Sequence, residues 1–164
     1  MIPISNSPVV STRVVCHTPT RQLQFGPQWS VMDNGSTRAV LDDIFSSVSE
    51  SGFGATFLDR LADDLVFTAT GTSPLAGRYT SKAEYHEKVL ARLHERLATP
   101  IRPAIEQLLV DGEWATVRFR SEGVRGHNGS DFSMQYCWLI RVVGDRIVEI
   151  IGFYDTKKMV DLFA

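Results

Sequence analysis

Basic residues are not in surplus here: 17 Lys and Arg stand against 19 Asp and Glu, for a net charge of −2. A surface of that balance is a poor match for a phosphate backbone or an anionic lipid headgroup, so nucleic-acid and membrane partners are not expected. No apolar run approaches the roughly 18–20 residues that span a bilayer. Cysteine is scarce as well. Cys16 and Cys137 are the only two, too few and too far apart for a disulfide framework or a zinc site. They read as reduced thiols in a reducing compartment, which points to the cytoplasm. The histidines, His17, His86, His94 and His127, show neither HxxxH nor HxH spacing, so a protein-bound metal is not expected.

What is present is ordinary for a globular chain. The 164 residues, 43% of them apolar, suit one domain able to bury a core without a staple. The first 32 residues differ from the rest. They hold Pro3, Pro8, Pro19 and Pro27 and no acidic residue, a composition that buries little apolar surface. Residues 1–32 are therefore expected to be a loose or draped extension, and 33–164 the domain. Arg13 and Arg21 in this acid-free stretch leave organelle targeting as a weaker alternative.

Periodicity sets the elements. Asn34 or Ser36 can cap a helix whose Val40, Leu41, Ile44, Phe45 and Val48 recur at helical spacing up to Gly52. A short second helix carries Phe57, Leu58 and Leu61. Residues 65–70 read as a strand, closed by Gly71 and Pro74. Ser81-Lys82-Ala83-Glu84 has the form of a capping box and opens a helix over 82–98, with His86 on the same stripe as Ala83, Leu90, Leu93 and Leu97. Asp111-Gly112, Asn128-Gly129 and Gly144-Asp145 are hairpin signals. They join strands near 103–110, 113–127, 130–143 and 146–154. Asp155 or Thr156 then caps a last helix. The fold class is α+β: a curved antiparallel sheet, made of the four-strand meander and one short strand, wraps about three helices and leaves one concave, partly apolar space.

Two-residue loops would fix the register. Glu122 then lies opposite Gln135, Arg120 opposite Cys137, Gln135 opposite Tyr154, and Cys137 opposite Gly152. Alternation gathers Arg118, Arg120, Glu122, Gln135, Cys137, Leu139, Ile150 and Tyr154 on one face. The other face carries Val117, Phe119, Met134, Tyr136, Trp138 and Phe153. A bulge near Gly123 or Gly126 would shift this assignment.

The stretches LADDLVFTATGTSPLAGRYTSKAEY and MQYCWLIRVVGDRIVEIIGFYDTKKM, with helices first and a meander last, resemble the SnoaL-like group of the nuclear-transport-factor-two-like superfamily. That superfamily also includes ketosteroid isomerase and limonene epoxide hydrolase. The resemblance covers about residues 35–162. It implies a cone-shaped pocket between sheet and helices and a homodimer packed through the sheet. Carried over by position, the isomerase's base falls on Ala69, its tyrosine donor near Phe45, and its protonated acid on Gln135. The hydrolase's Arg-x-Asp resembles Arg120-Ser121-Glu122, and its second carboxylate falls near Gly152.

The expected function is a cofactor-independent acid–base enzyme (isomerase, cyclase or hydrolase) acting on a small, apolar, oxygenated metabolite. The alternative is a non-catalytic ligand-binding or dimerisation module of the same fold. Glu122 is the expected proton carrier, oriented by Arg120 on the same strand face. Gln135 and Tyr154 are expected to bind polarised oxygens. Phe67, Ala69, Phe45, His86, Cys137 and Leu139 are expected to line the pocket.

Overall fold

A computed structural model describes residues 33–164; the expected N-terminal extension, with Cys16 and its targeting alternative, lies outside the described residues. Helix α1 (Asn34–Ser51) buries Thr37, Leu41, Ile44, Phe45 and Val48, the stripe that the spacing predicts. Asp33, not Asn34 or Ser36, occupies the cap position. Asn34 instead accepts from the Gly112 N–H at 2.7 Å, and Thr37 donates to the Gly112 carbonyl at 2.8 Å. Those bonds pin the start of α1 to a strand turn far along the chain. Gly52 ends the helix at φ 80, a left-handed conformation that glycine reaches without steric cost.

After α2 (Ala55–Leu58), β1 spans Leu61–Ala69 and β2 spans Gly77–Tyr79. A helical run follows: α3 (Lys82–Tyr85), a π-helical segment (His86–Ala91) and α4 (Arg92–Arg96). The capping pair at its start forms: Ser81 accepts from the Glu84 N–H at 3.1 Å, and Glu84 reaches back to the Thr80 N–H at 2.9 Å. The meander is β3 (Ala104–Asp111), β4 (Trp114–Ser121), β5 (Met134–Val143) and β6 (Arg146–Tyr154), and α5 (Thr156–Phe163) closes the chain. Asp155 caps α5, accepting from the N–H groups of Lys157 and Lys158.

The six strands form one curved, unclosed sheet in the order β2-β1-β6-β5-β4-β3. Two features depart from expectation. Strand β2 is a sixth strand, and β1 pairs parallel to β6, so the sheet is not purely antiparallel.

The register also differs, for two identifiable reasons. Ser121 and Met134 are joined by a long irregular connection, not a two-residue loop. Gly123 turns there at φ 68, and a small local turn around Gly129 pairs Arg125 with Asp131. Arg120 consequently faces Gln135, and Arg118 faces Cys137. The Gly144-Asp145 turn does hold Val143 opposite Arg146, but a bulge between Arg141 and Val142 moves β6 by one residue. That sets Trp138 opposite Gly152 and Tyr136 opposite Tyr154. A one-residue shift exchanges faces, so Ile150 and Tyr154 leave the Arg118–Leu139 set, and Phe153 joins it.

The apolar face turns inward. Val117, Phe119, Tyr136, Trp138 and Ile140 pack with Leu41, Phe45, Val48, Phe53, Phe57 and Phe67 in one core. Rings dominate it: Trp138 lies 5.1 Å from Phe119 and 5.3 Å from Phe53, and Phe119 stacks on Tyr136 at 4.7 Å and 9°. Offset and edge contacts of this kind add to the burial itself.

Candidate functional site

Between the concave face and the helices lies a cavity of about 190 Å³. Phe53 and Ile101 wall it near the end of α1, and Val89, Leu90 and Leu93 wall it on the helical run. Phe67, Phe132, Tyr136, Trp138, Tyr154 and Met159 complete the apolar shell. Among the described residues no carboxylate, Lys or Arg lines it, and the ionisable side chains that do are Tyr85, Tyr136, Tyr154 and His94.

Each phenol is held neutral. Burial drives the Tyr85 hydroxyl well above the ordinary phenol range, with nearby Tyr154 adding to the effect. Burial also raises Tyr136 to about 12, against a small opposing effect of the Ser121 hydroxyl, which donates to Tyr136 at 3.4 Å. Tyr154 is raised to about 12 by burial, which the neighbouring Ser73 hydroxyl partly opposes. Ser73 approaches without hydrogen-bond geometry, so its oxygen stays buried and unpartnered. Tyr85 is 2% exposed and has no side-chain hydrogen-bond partner among the described residues, yet it lines the cavity. The hydroxyl oxygen itself is not sealed off, and the space it opens onto is the cavity, where a partner can reach it. The Trp138 indole N–H, by contrast, is buried without a partner among the described residues; it lies beside Gly152, where a Cβ would come within 3.2 Å of it.

Such a hollow offers neutral hydrogen-bond donors in apolar walls. It suits an uncharged molecule with an oxygen acceptor, because donors fixed in a dry site can stabilise negative charge developing on that oxygen.

The expected site residues divide. Tyr154 and Phe67 line the cavity. Ala69 and Phe45 are core residues, 4% and 3% exposed, outside its lining. Glu122, Arg120, Gln135, Cys137 and Leu139 do not face it. The charged face of β4 and β5 points to solvent, since the aromatic face gains more by burial. Glu122 is 75% exposed there and pairs with Arg120 at 3.0 Å; Arg120 also meets Glu106 at 3.2 Å. His86 is exposed on another side, beside Asp63 and Lys82. The shared stripe with Leu90 and Leu93 holds only in a regular α-helix, and the π segment beginning at His86 alters the phase. The residues that sequence reasoning missed are Tyr85, Tyr136, Trp138 and His94. Only the surplus of rings on the Tyr136/Trp138 face could have signalled the first-choice core side.

Among the described residues no group of His, Cys, Asp or Glu is placed to hold a metal ion, and no helix is long and apolar enough to cross a membrane.

Comparisons with known proteins agree with this fold. The family described as the SnoaL-like domain matches residues 43–150. No curated protein matches the sequence. An NTF2-like protein from Burkholderia thailandensis superposes with a TM-score of 0.66 at 21% identity, covering 79% of this chain and 98% of its own. A protein from Rhodopseudomonas palustris provisionally assigned as an isomerase gives 0.58 at 13%, covering 77% and 95%. One from Kribbella flavida provisionally assigned as a ketosteroid isomerase gives 0.52 at 20%, covering 76% and 81%. At such identities the likeness concerns the fold.

Proposed function

The chain belongs to the SnoaL-like domain family, and from that premise we propose that it is an isomerase-type enzyme, working without a cofactor, on a small, neutral, largely apolar molecule carrying a carbonyl oxygen. The observation that carries this reading is the Tyr85 hydroxyl: neutral, on the cavity wall, carried by a residue only 2% exposed, and with no hydrogen bond to another described residue. With Tyr154 close by, it offers a developing enolate the donors it needs. The two structural neighbours provisionally assigned as isomerases support the same class.

The test uses 2-tetralone, a neutral bicyclic ketone with acidic hydrogens beside its carbonyl. Calorimetry should find one site per chain, and NMR in D2O should find deuterium entering the α-carbon faster than in buffer. Binding without exchange would establish the alternative, a ligand-binding module. Neither binding nor exchange would defeat both readings.

The proposal includes a second copy packed on the outer sheet face. Leu109, Trp114 and Phe153 are 55%, 39% and 44% exposed there, more apolar surface than a solvated sheet face ordinarily shows. A dimer in sedimentation that Phe153→Lys dissociates is the expected result.

A further inference from the structure

Proton transfer at carbon needs a base, and among the described residues neither the expected Glu122 nor any other carboxylate lines the cavity. The three phenols that do are held neutral by burial and cannot accept a proton near pH 7. Among the described residues, His94 is the remaining ionisable group on the lining. It is exposed, at the solvent edge of the site, and has no side-chain ion pair or hydrogen bond among the described residues.

Its arrival there has a specific cause. Tyr85 and His94 are nine residues apart in the helical run. Nine residues make about two and a half turns of regular α-helix, which would set the two side chains on opposite sides. The π-helical segment His86–Ala91 lies between them, and its hydrogen bonds close one residue later than in an α-helix. One extra residue absorbed in the turn makes the nine behave as roughly eight, and brings the two to within about 80°. The observed lining, Tyr85, Val89, Leu90, Leu93 and His94, is the face so produced. The other histidines of the described chain do not compete. His86 sits beside Asp63 and Lys82 on a different surface, and His127 is exposed, in the β4–β5 connection.

We propose that His94 is the catalytic base of this site, carried onto the cavity wall by the π turn. The inference rests on the isomerase reading above. The neutral imidazole removes a proton from the carbon next to the substrate carbonyl. The C–H electron pair becomes a carbon–carbon double bond, and the carbonyl π electrons move to the oxygen, which the phenol donors hold. Returning the proton to the same carbon gives exchange, and returning it to a conjugated carbon gives the shifted isomer. Either step restores the neutral imidazole, and no co-reactant is consumed. A rim position lets the imidazole trade protons with water between turnovers.

Removing a general base costs on the order of 100- to 10,000-fold. His94→Ala should therefore lower the deuterium exchange of 2-tetralone at least 100-fold, leave its affinity within about threefold, and regain part of the rate with added imidazole. His94→Gln, nearer in size, should lose the same rate with an unchanged melting temperature. Exchange within threefold of wild type in both variants would overturn the assignment and leave the isomerase reading standing. A rate lost in both variants but not restored by imidazole in His94→Ala would also overturn it, because a merely structural residue behaves that way. A wild-type protein that binds the ketone without exchanging it would remove the isomerase reading, and this inference with it.

Discussion

Replacing Tyr85 by Phe removes one oxygen atom and leaves the ring. In most buried tyrosines that change breaks a hydrogen bond and destabilises the fold. Here the hydroxyl is in a residue 2% exposed and has no side-chain partner among the described residues. An unpaired polar group in the interior costs about 1–3 kcal/mol. Water in a cavity of about 190 Å³ offsets part of that, since a site of this size holds several waters at roughly 30 Å³ each. The net expectation for Tyr85→Phe is a gain of up to about 1 kcal/mol, or a melting temperature roughly 2–4 °C higher for a chain of this length. Tyr136→Phe should have the opposite sign. Its hydroxyl accepts from Ser121 at 3.4 Å inside the core, and Ser121 is only 3% exposed. Losing that partner leaves the serine hydroxyl buried and alone, at about 1–2 kcal/mol.

Activity should move against stability in the first variant. If Tyr85 donates to the substrate oxygen, Tyr85→Phe should lower the exchange of 2-tetralone about 100- to 1,000-fold, the usual effect of deleting one oxyanion donor. A residue kept at a cost to the fold and needed by the chemistry is the pattern of a functional site. Urea denaturation of both variants, read beside the exchange rate, tests the reasoning. A Tyr85→Phe protein destabilised by more than about 1 kcal/mol has lost an internal partner, and the hydroxyl then does not await a ligand. Unchanged exchange would equally refute it.

Much of the fold is legible in the chain because its signals are local. Leu41, Ile44, Phe45 and Val48 repeat at helical spacing and are buried together. The Ser81/Glu84 and Asp155 caps form where the residue types call for them. Alternation along β4 and β5 sorts residues correctly into two sets. Which set turns inward is not given by alternation. Positional likeness to related enzymes favours the Arg120/Glu122 side, but the burial of Phe119, Tyr136 and Trp138 outweighs anything Arg118 and Arg120 gain from being enclosed. The bulge beside Val142 and the irregular stretch between Ser121 and Met134 carry no signature strong enough to set register. Either one moves every cross-strand partner beyond it. The site was hidden for the same kind of reason. Tyr85 and His94 share a face only because of a π turn, and ideal helical phase would read them as opposite.

The outer position of Glu122 and Arg120 makes a plain prediction: Glu122→Gln should leave stability within about 0.5 kcal/mol, as exposed ion pairs contribute little, and leave ketone binding unchanged in calorimetry. Gly152→Ala would bring a methyl within 3.2 Å of the Trp138 nitrogen and 3.4 Å of the Tyr154 ring; overpacking of that kind should cost about 1–3 kcal/mol in urea denaturation and weaken ketone binding. Asp155→Ala removes the cap that holds the Lys157 N–H at 2.9 Å, and should cost about 1 kcal/mol by the same measurement. The last prediction concerns alkaline pH. All four tyrosines, Tyr79, Tyr85, Tyr136 and Tyr154, have hydroxyls raised above the usual phenol value, each chiefly by burial. A group whose pKa is higher folded than unfolded contributes stability that is intact below the unfolded value and lost as pH climbs through the folded one. For Tyr136 that window runs from 10.0 to about 12, and the contribution lost across it is about 3 kcal/mol. Absorbance at ~295 nm should therefore show no phenolate step at ordinary phenol pH while the protein is folded. Ionisation should instead arrive together with loss of near-ultraviolet circular dichroism at higher pH. A reversible step near pH 10 with the dichroism intact would mean that at least one of these hydroxyls is open to water, and Tyr154, the least enclosed of the cavity's three, would be the first to re-examine.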